Sequence, residues 1–372
     1  MTELQQLINE LCPNGVKFVA LEECCKILDN KRKPVTKAAR QAGEYPYYGA
    51  NGIQDYVSDY IFDGIFVLVG EDGSVVTPSG NPVVNWATGK IWVNNHAHII
   101  EEKDGVLLRY LYHYLQTVNV SALIHGNIPK LTGGDFRAIK VPVPPLPVQS
   151  EIIRILDNFT ELTAELTAEL TARKKQYEYY RDFLFANAKD AVSITLDKIS
   201  ENCDAQRKPV TSGKREAGDI PYYGASGIVD YVKDYIFDGD YLLVSEDGAN
   251  LLARNTPIAF SISGKTWVNN HAHILKFDEY DTRRYVEIYL NSIDLSYYIT
   301  GGAQPKLNQK NLNKIEIPLP PLDEQKRIVA ILDRFDTLCN DISAGLPAEI
   351  EARQKQYEYY RDKLLTFKEA SV

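Results

Sequence analysis

No apolar run in this chain approaches the roughly 18 residues needed to cross a bilayer, and Met1 is followed by polar TELQQ rather than a basic and then apolar leader. A cytoplasmic protein with no membrane partner is therefore expected. Cysteine is scarce: Cys12, Cys24, Cys25, Cys203 and Cys339 are odd in number and contain no C-x-x-C pair, which argues against a disulfide framework and for reduced structural thiols. Several chemical signatures are missing from the sequence. It has no G-x-x-x-x-G-K-[ST] phosphate loop, no G-x-G-x-x-G after a strand, no G-x-S-x-G elbow, no H-E-x-x-H and no [DNS]-P-P-[YFW] amino-methyltransferase motif. No catalytic residue is assigned. Positive charge is also short, with 41 Lys and Arg against 50 Asp and Glu and a formal net charge of -9. A nucleic-acid role must therefore rest on local basic patches.

What is present is a globular composition, 44% hydrophobic and 24% charged over 372 residues, which suits two or three domains. An internal duplication organises them. Arg32 to His98 recurs 175 residues later as Arg207 to His273, with RKPVT, PYYGA, DYIFDG, EDG and WVNNHAHI in the same order. Each copy closes on a Pro-Lys-Leu string (NIPKL from Asn127, AQPKL from Ala303) and then on VPVPPL from Val141 or IPLPPL from Ile317.

After each proline-rich string the apolar residues fall three and four apart, as in Ile152, Ile155, Leu156, Phe159, Leu162, Leu166 and Leu170, and again in Ile328, Ile331, Leu332, Phe335, Leu338 and Ile342. Two long amphipathic helices are predicted, over about 148–185 and 323–367, and an antiparallel pairing would bury both stripes. Prolines mark the approach to each helix, and Gly345 with Pro347 predicts a kink or short break in the second. The domain reading is a first repeated domain over 1–147, a long helix over 148–188, a second repeated domain over 189–322 and a second long helix over 323–372. The fold class expected is α+β, with two repeated mixed α/β domains separated by two long antiparallel, coiled-coil-like helices in a pseudo-twofold arrangement.

The most basic segments are Lys31 to Arg40 and its copy Gln206 to Arg215, so Arg32, Lys33, Lys37, Arg40, Arg207, Lys208, Lys214 and Arg215 are phosphate-contact candidates; a solvated loop is the bland alternative. Lys130, Lys306 and Lys310, in and beside the Pro-Lys-Leu strings, join them. In WVNNHAHI, a strand would put Asn94, His96 and His98 on one face, and likewise Asn269, His271 and His273. Two histidines are half a zinc site, and a third ligand would have to come from Glu71 or Asp72. Base-edge or phosphate contact by Asn94, His96, Asn269 and His271 is preferred to a metal, with a purely structural strand as the remaining reading. No metal is assigned. One tyrosine of each pair, Tyr47 with Tyr48 and Tyr222 with Tyr223, could face DNA while strand alternation turns the other inward.

These strings together resemble the specificity subunits of type I restriction-modification systems. The resemblance rests on VPVPPLPVQSEIIRILDNF and IPLPPLDEQKRIVAILDRF, on the WVNNHAHI and PKL strings, and on their duplicated order, and it spans essentially the whole chain. Three tandem Glu-Leu-Thr-Ala copies from Glu161 to Ala172 resemble the branch with tetrapeptide repeats in its central helix; the second helix, DISAGLPAEIEA, departs from that pattern. The resemblance implies that each domain reads half of a bipartite double-stranded DNA site. It implies two modification subunits carrying S-adenosylmethionine and two restriction subunits using ATP and Mg, with no cofactor on this chain. Leu162, Leu166, Leu170, Tyr177, Leu338, Ile342 and Tyr357 on the helices are the candidate partner-docking residues. A coiled-coil adaptor that binds protein without reading DNA is the alternative.

Overall fold

The computed structural model describes residues 3–73, 75–301 and 304–370. The chain forms two units: one takes the sequence up to Thr167 and returns to it from Glu349 onward, and the other is Ala168–Ala348.

In the first unit a six-stranded sheet runs Cys25–Ile27, Ala97–Glu102, Phe62–Gly70, Val84–Val93, Ala42–Gly49, Gly52–Val57. The central strand is buried on both faces, and the period of two divides its side chains: Val67 and Val69 enter one hydrophobic cluster, Phe66 and Leu68 the other. Pairing is antiparallel except where Tyr47 and Tyr48 run parallel to Trp92 and Val93. The second unit repeats this order but divides it into two four-stranded sheets. Where Gly64 pairs with Gly89 inside a continuous ladder, the copy is interrupted at Gly239 and Gly264.

Each proline-rich string forms the strand before a long helix. Lys140–Val143 pairs with Lys17–Ala20, and Glu316–Leu319 pairs with Val192–Thr195. The glutamine just inside each helix acts as a buried staple, since Gln149 donates to the Pro144 carbonyl and Gln325 to that of Pro320, both at 2.7 Å. The helices are Leu146–Ala186, then Leu322–Asn340 and Leu346–Leu364. The expected break thus lies at 341–345. There the Asp341 carboxylate accepts from the backbone of Ser343 and Ala344, and a Cβ on Gly345 would stand 2.5 Å from the Thr337 carbonyl. Pro347 sits in the first turn of the new helix, where a missing N–H costs nothing.

The apolar stripe does not serve helix pairing alone. Val148, Ile152 and Leu156 are buried in the core of the first unit, and Ile328, Val329 and Leu332 in that of the second. The far ends also dock, Leu184 in the core of the second unit and Leu365 in that of the first. Ile342 belongs to the break rather than a helix and is 82% exposed. Its side chain follows the turn closed by Asp341, so it leaves the stripe that the sequence assigned it to.

Candidate nucleic-acid interface

The basic loop of each unit is fastened to its sheet by the residues that the sequence repeats around it. Trp92 Nε1 donates to the Lys33 carbonyl at 2.7 Å, and Trp267 Nε1 to that of Lys208 at 2.6 Å. The Tyr47 hydroxyl accepts from Val35 N at 2.9 Å and donates to its carbonyl at 3.2 Å; Tyr222 holds Val210 in the same way at 3.0 and 3.3 Å. Arg40 lies 4.1 Å over the Tyr47 ring, donates to Val35 O and pairs with Asp55, and Arg215 repeats this over Tyr222 with Asp230. Both loop backbones are thereby fixed, and Lys33, Lys37, Lys208 and Lys214 stand exposed on them. Backbone order with exposed ammonium groups suits phosphate contact, because the charge is positioned without the loop having to order on binding.

Arg32 and Arg207 have a different job. Arg32 donates at 2.6 Å to both Glu71 and the Ala97 carbonyl; Arg207 donates to Glu246 at 2.6 Å and to the Ala272 carbonyl at 2.8 Å. Their side chains are only 12% and 13% exposed. Asp29 and Asp204 complete each cluster by accepting from Nδ1 of His98 and His273, whose Nε2 atoms face the Leu131 and Leu307 carbonyls. Burial pushes the Asp29 carboxyl up, but the hydrogen bond and charge of His98, the Ile99 amide and Arg32 outweigh it and hold the group below the ordinary carboxylate range. Asp204 is lowered by the same balance. Glu246 is lowered too, its burial outweighed by Arg207, Lys306 and His273.

Asp29, Glu71 and His98 stand close enough to share a cation, as do Asp204, Glu246 and His273. The guanidinium of Arg32 or Arg207 already fills that place, so these residues do not fit a metal. The strand expected to align Asn94, His96 and His98 is not formed. The strand Val84–Val93 ends at Val93, residues 94–96 turn, and Ala97–Glu102 begins after them. The Asn94 carboxamide causes this by accepting from the His96 amide at 2.8 Å, and Asn269 does the same for His271. Asn94 and Asn269 are consequently buried, while His96 and His271 project outward. Of the paired tyrosines, Tyr47 and Tyr222 clamp the loops, and Tyr48 and Tyr223 pack against the second cluster of each unit.

Three strings that are far apart in sequence meet in each unit. Glu71 N donates to His96 O, Leu131 N to Glu71 O and Gly73 N to Pro129 O; Glu246, Leu307 and Gly248 repeat these bonds with His271, Glu246 and Pro305. His96 Nδ1 is bonded to Asp72, and His271 Nδ1 to Asp247 at 2.9 Å, which leaves Nε2 directed away from the carboxylate. Lys130 and Lys306 pair with Glu71 and Glu246 at 3.1 and 3.0 Å while remaining about half exposed. Lys310 stands apart, exposed on the short helix Gln309–Leu312. Ala303, at the head of the second Pro-Lys-Leu string, lies outside the described residues.

Among the candidate docking residues, Leu162, Leu166 and Leu170 are half-buried and Leu338 is 38% exposed. Tyr177 packs against the core of the second unit. Tyr357 lies within the first, its hydroxyl 3.0 Å from His113 Nδ1. These two tyrosines fasten helix ends to the two units and offer little free surface. Sequence reasoning passed over Asp29 with Asp204, Trp92 with Trp267 and Asp55 with Asp230. Each pair recurs at the 175-residue offset, which was the available signal.

A family model described as the type I restriction modification DNA specificity domain matches residues 13–173 and again 189–352. A Haemophilus influenzae chain named as a type I restriction enzyme specificity subunit is 39% identical, the match covering 95% of this chain and 96% of the other. The Escherichia coli EcoR124I/EcoR124II specificity subunit is 36% identical, with 72% of each chain covered. The solved S subunit of the type I restriction-modification system of M. genitalium shares the fold, with a TM-score of 0.62 at 16% identity over 94% of this chain and 96% of that one.

Proposed function

Because this chain belongs to the type I restriction-modification DNA specificity family, we infer that its two units are DNA-reading heads, each addressed to one half of a bipartite double-stranded site. The chain is the DNA sequence-specificity subunit of such a system. The single observation that carries the reading is the fixed basic loop, built twice from the same clamps around Lys33 and Lys208.

The chain itself is proposed to be non-catalytic. Its acid clusters are closed by Arg32 and Arg207, and its five cysteines are buried thiols, with burial pushing that of Cys25 up to about 12. S-adenosylmethionine belongs on two modification subunits, and ATP with Mg on two restriction subunits. Partner supply of most phosphate contacts accommodates the net charge of -9. A cytoplasmic site of action fits this role, and among the described residues no helix is long and apolar enough to cross a membrane. The adaptor alternative gains nothing from these likenesses.

The test is DNA binding by the purified chain with and without a type I modification subunit. Weak, salt-sensitive binding alone and tight binding to one bipartite sequence in the complex are expected. Equal affinity for all sequences in the complex overturns the reading.

A further inference from the structure

The two units share their frame but not the loop that springs from each Glu-Asp-Gly turn. Between Gly73 and Pro82, and between Gly248 and Pro257, the lengths are equal and the sequences unrelated. The local folds differ as well. In the first unit the loop is a tight hairpin, with Thr77 N donating to Asn81 O, Gly80 N to Thr77 O and Val83 N to Val75 O. In the second it is a helical turn, Asn250–Ala253, ended by Arg254 in the left-handed region at φ 53°.

Each loop is anchored by different means on the same frame. Val75 and Leu251 are each 1% exposed and belong to the core, so they cannot reach DNA. Asn250 closes its loop by exchanging hydrogen bonds with the Thr256 backbone, and the Arg254 guanidinium donates to the Ile293 carbonyl at 2.9 Å. The tips are left outward: Pro78 and Ser79 in one unit, Leu252, Asn255 and Thr256 in the other. The base of the second loop, Gly248 and Ala249, shares a cleft of roughly 370 Å³ with His271, Lys306 and Gln304.

We propose that these two loops, 75–81 and 250–256, set the base preference of their half-sites, while His96 with Lys130 and His271 with Lys306 make contacts common to both. The proposal rests on the DNA-reading function of the two units. Its logic is that residues identical in both units cannot distinguish two half-sites, whereas a tip that differs in sequence and conformation on a shared frame can. Asp72 and Asp247 hold the two rings by Nδ1, His271 lining the cleft at the base of its loop, so that Nε2 of each ring points away from the carboxylate, where it can meet a base edge or a phosphate.

The experiment is methylation mapping in cells that supply the partner subunits. It compares the wild-type chain, the tip variants Leu252→Ala and Asn255→Ala, and a chain whose residues 75–81 are replaced by the sequence of residues 250–256. The tip variants are expected to relax preference at one or two bases of one half-site by about tenfold, the scale of a lost base-edge contact, with the other half-site and the spacer unchanged. The graft is expected to move the first half-site toward the second. Wild-type base preference in both tip variants, or methylation lost equally at every sequence while the complex still assembles, overturns the loop assignment. A wild-type chain that confers no sequence-specific methylation overturns the underlying function instead, so the two failures are told apart.

Discussion

Phe159 stacks on Tyr360 with ring centroids 5.4 Å apart, and the second unit holds the same pair in exchanged order, Tyr180 on Phe335 at 5.8 Å. Each unit therefore grips the start of one long helix and the end of the other by equivalent rings. The three Glu-Leu-Thr-Ala copies lie between the two grips on the helix Leu146–Ala186.

Removing one copy, Glu165 to Ala168, leaves both ring pairs and nearly preserves the apolar stripe. It shortens the helix by about 6 Å and turns its C-terminal remainder by about 40°, from roughly 1.5 Å and 100° per residue. A DNA base pair advances about 3.4 Å and turns roughly 35°. The unread spacer between half-sites is expected to shrink by one base pair, or by two, with both half-sites kept. Methylation mapping of the deletion variant checks this, and an unchanged spacer refutes a role of the repeats in setting its length.

Arg207→Ala removes one partner of a buried ion pair and leaves Glu246 and Asp204 under-compensated. A loss of about 3 to 5 kcal/mol in unfolding free energy is expected. Lys208→Ala, next in sequence but exposed, should change stability by less than about 0.5 kcal/mol. Denaturant unfolding of the two variants separates clamp from surface, and equal effects would contradict the assignment.

Lys208→Ala with Lys214→Ala should weaken DNA binding by the complex about uniformly across sequences. Each lysine that meets a phosphate should lower the salt slope by roughly one. Tyr222→Phe removes the hydroxyl that holds Val210 and should weaken binding in the same direction without changing base preference. Titrations at several salt concentrations decide it; a base-selective loss would place these lysines in readout.

Asp29, Asp204 and Glu246 are held below their ordinary range by the partners that outweigh burial. A depressed carboxyl contributes stability above its unfolded value, near about 4, and loses it as pH falls through the folded value. Glu287, raised by burial, works in the opposite sense: its contribution is present at low pH and is lost as pH rises through its folded value. The three lowered carboxyls, joined by Asp157, outnumber Glu287, and His113, lowered by burial, charges at a cost as pH falls below about 6.5. Stability is expected to decline modestly from pH 7 to 5 and to fall further below about 4. Urea midpoints across that range test the sign, and stability that rises on acidification would refute it.

The sequence by itself determined the duplication, the two long helices, the break at Gly345 and the family. Those features depend on local periodicity, proline and glycine geometry and repeated strings, all of which are carried by neighbouring residues. Only the tertiary structure decided which basic residues are free. Arg207 and Lys208 are adjacent and equally charged, yet one is closed inside by Glu246, 39 positions away, and the other is held out by Trp267, 59 positions away, through its own carbonyl. The same holds for Asn94 and His96, where one hydrogen bond makes a turn of an expected strand and sends one side chain inward and the other outward. Burial and ion pairing are fixed by partners remote in sequence, and no local pattern carries them.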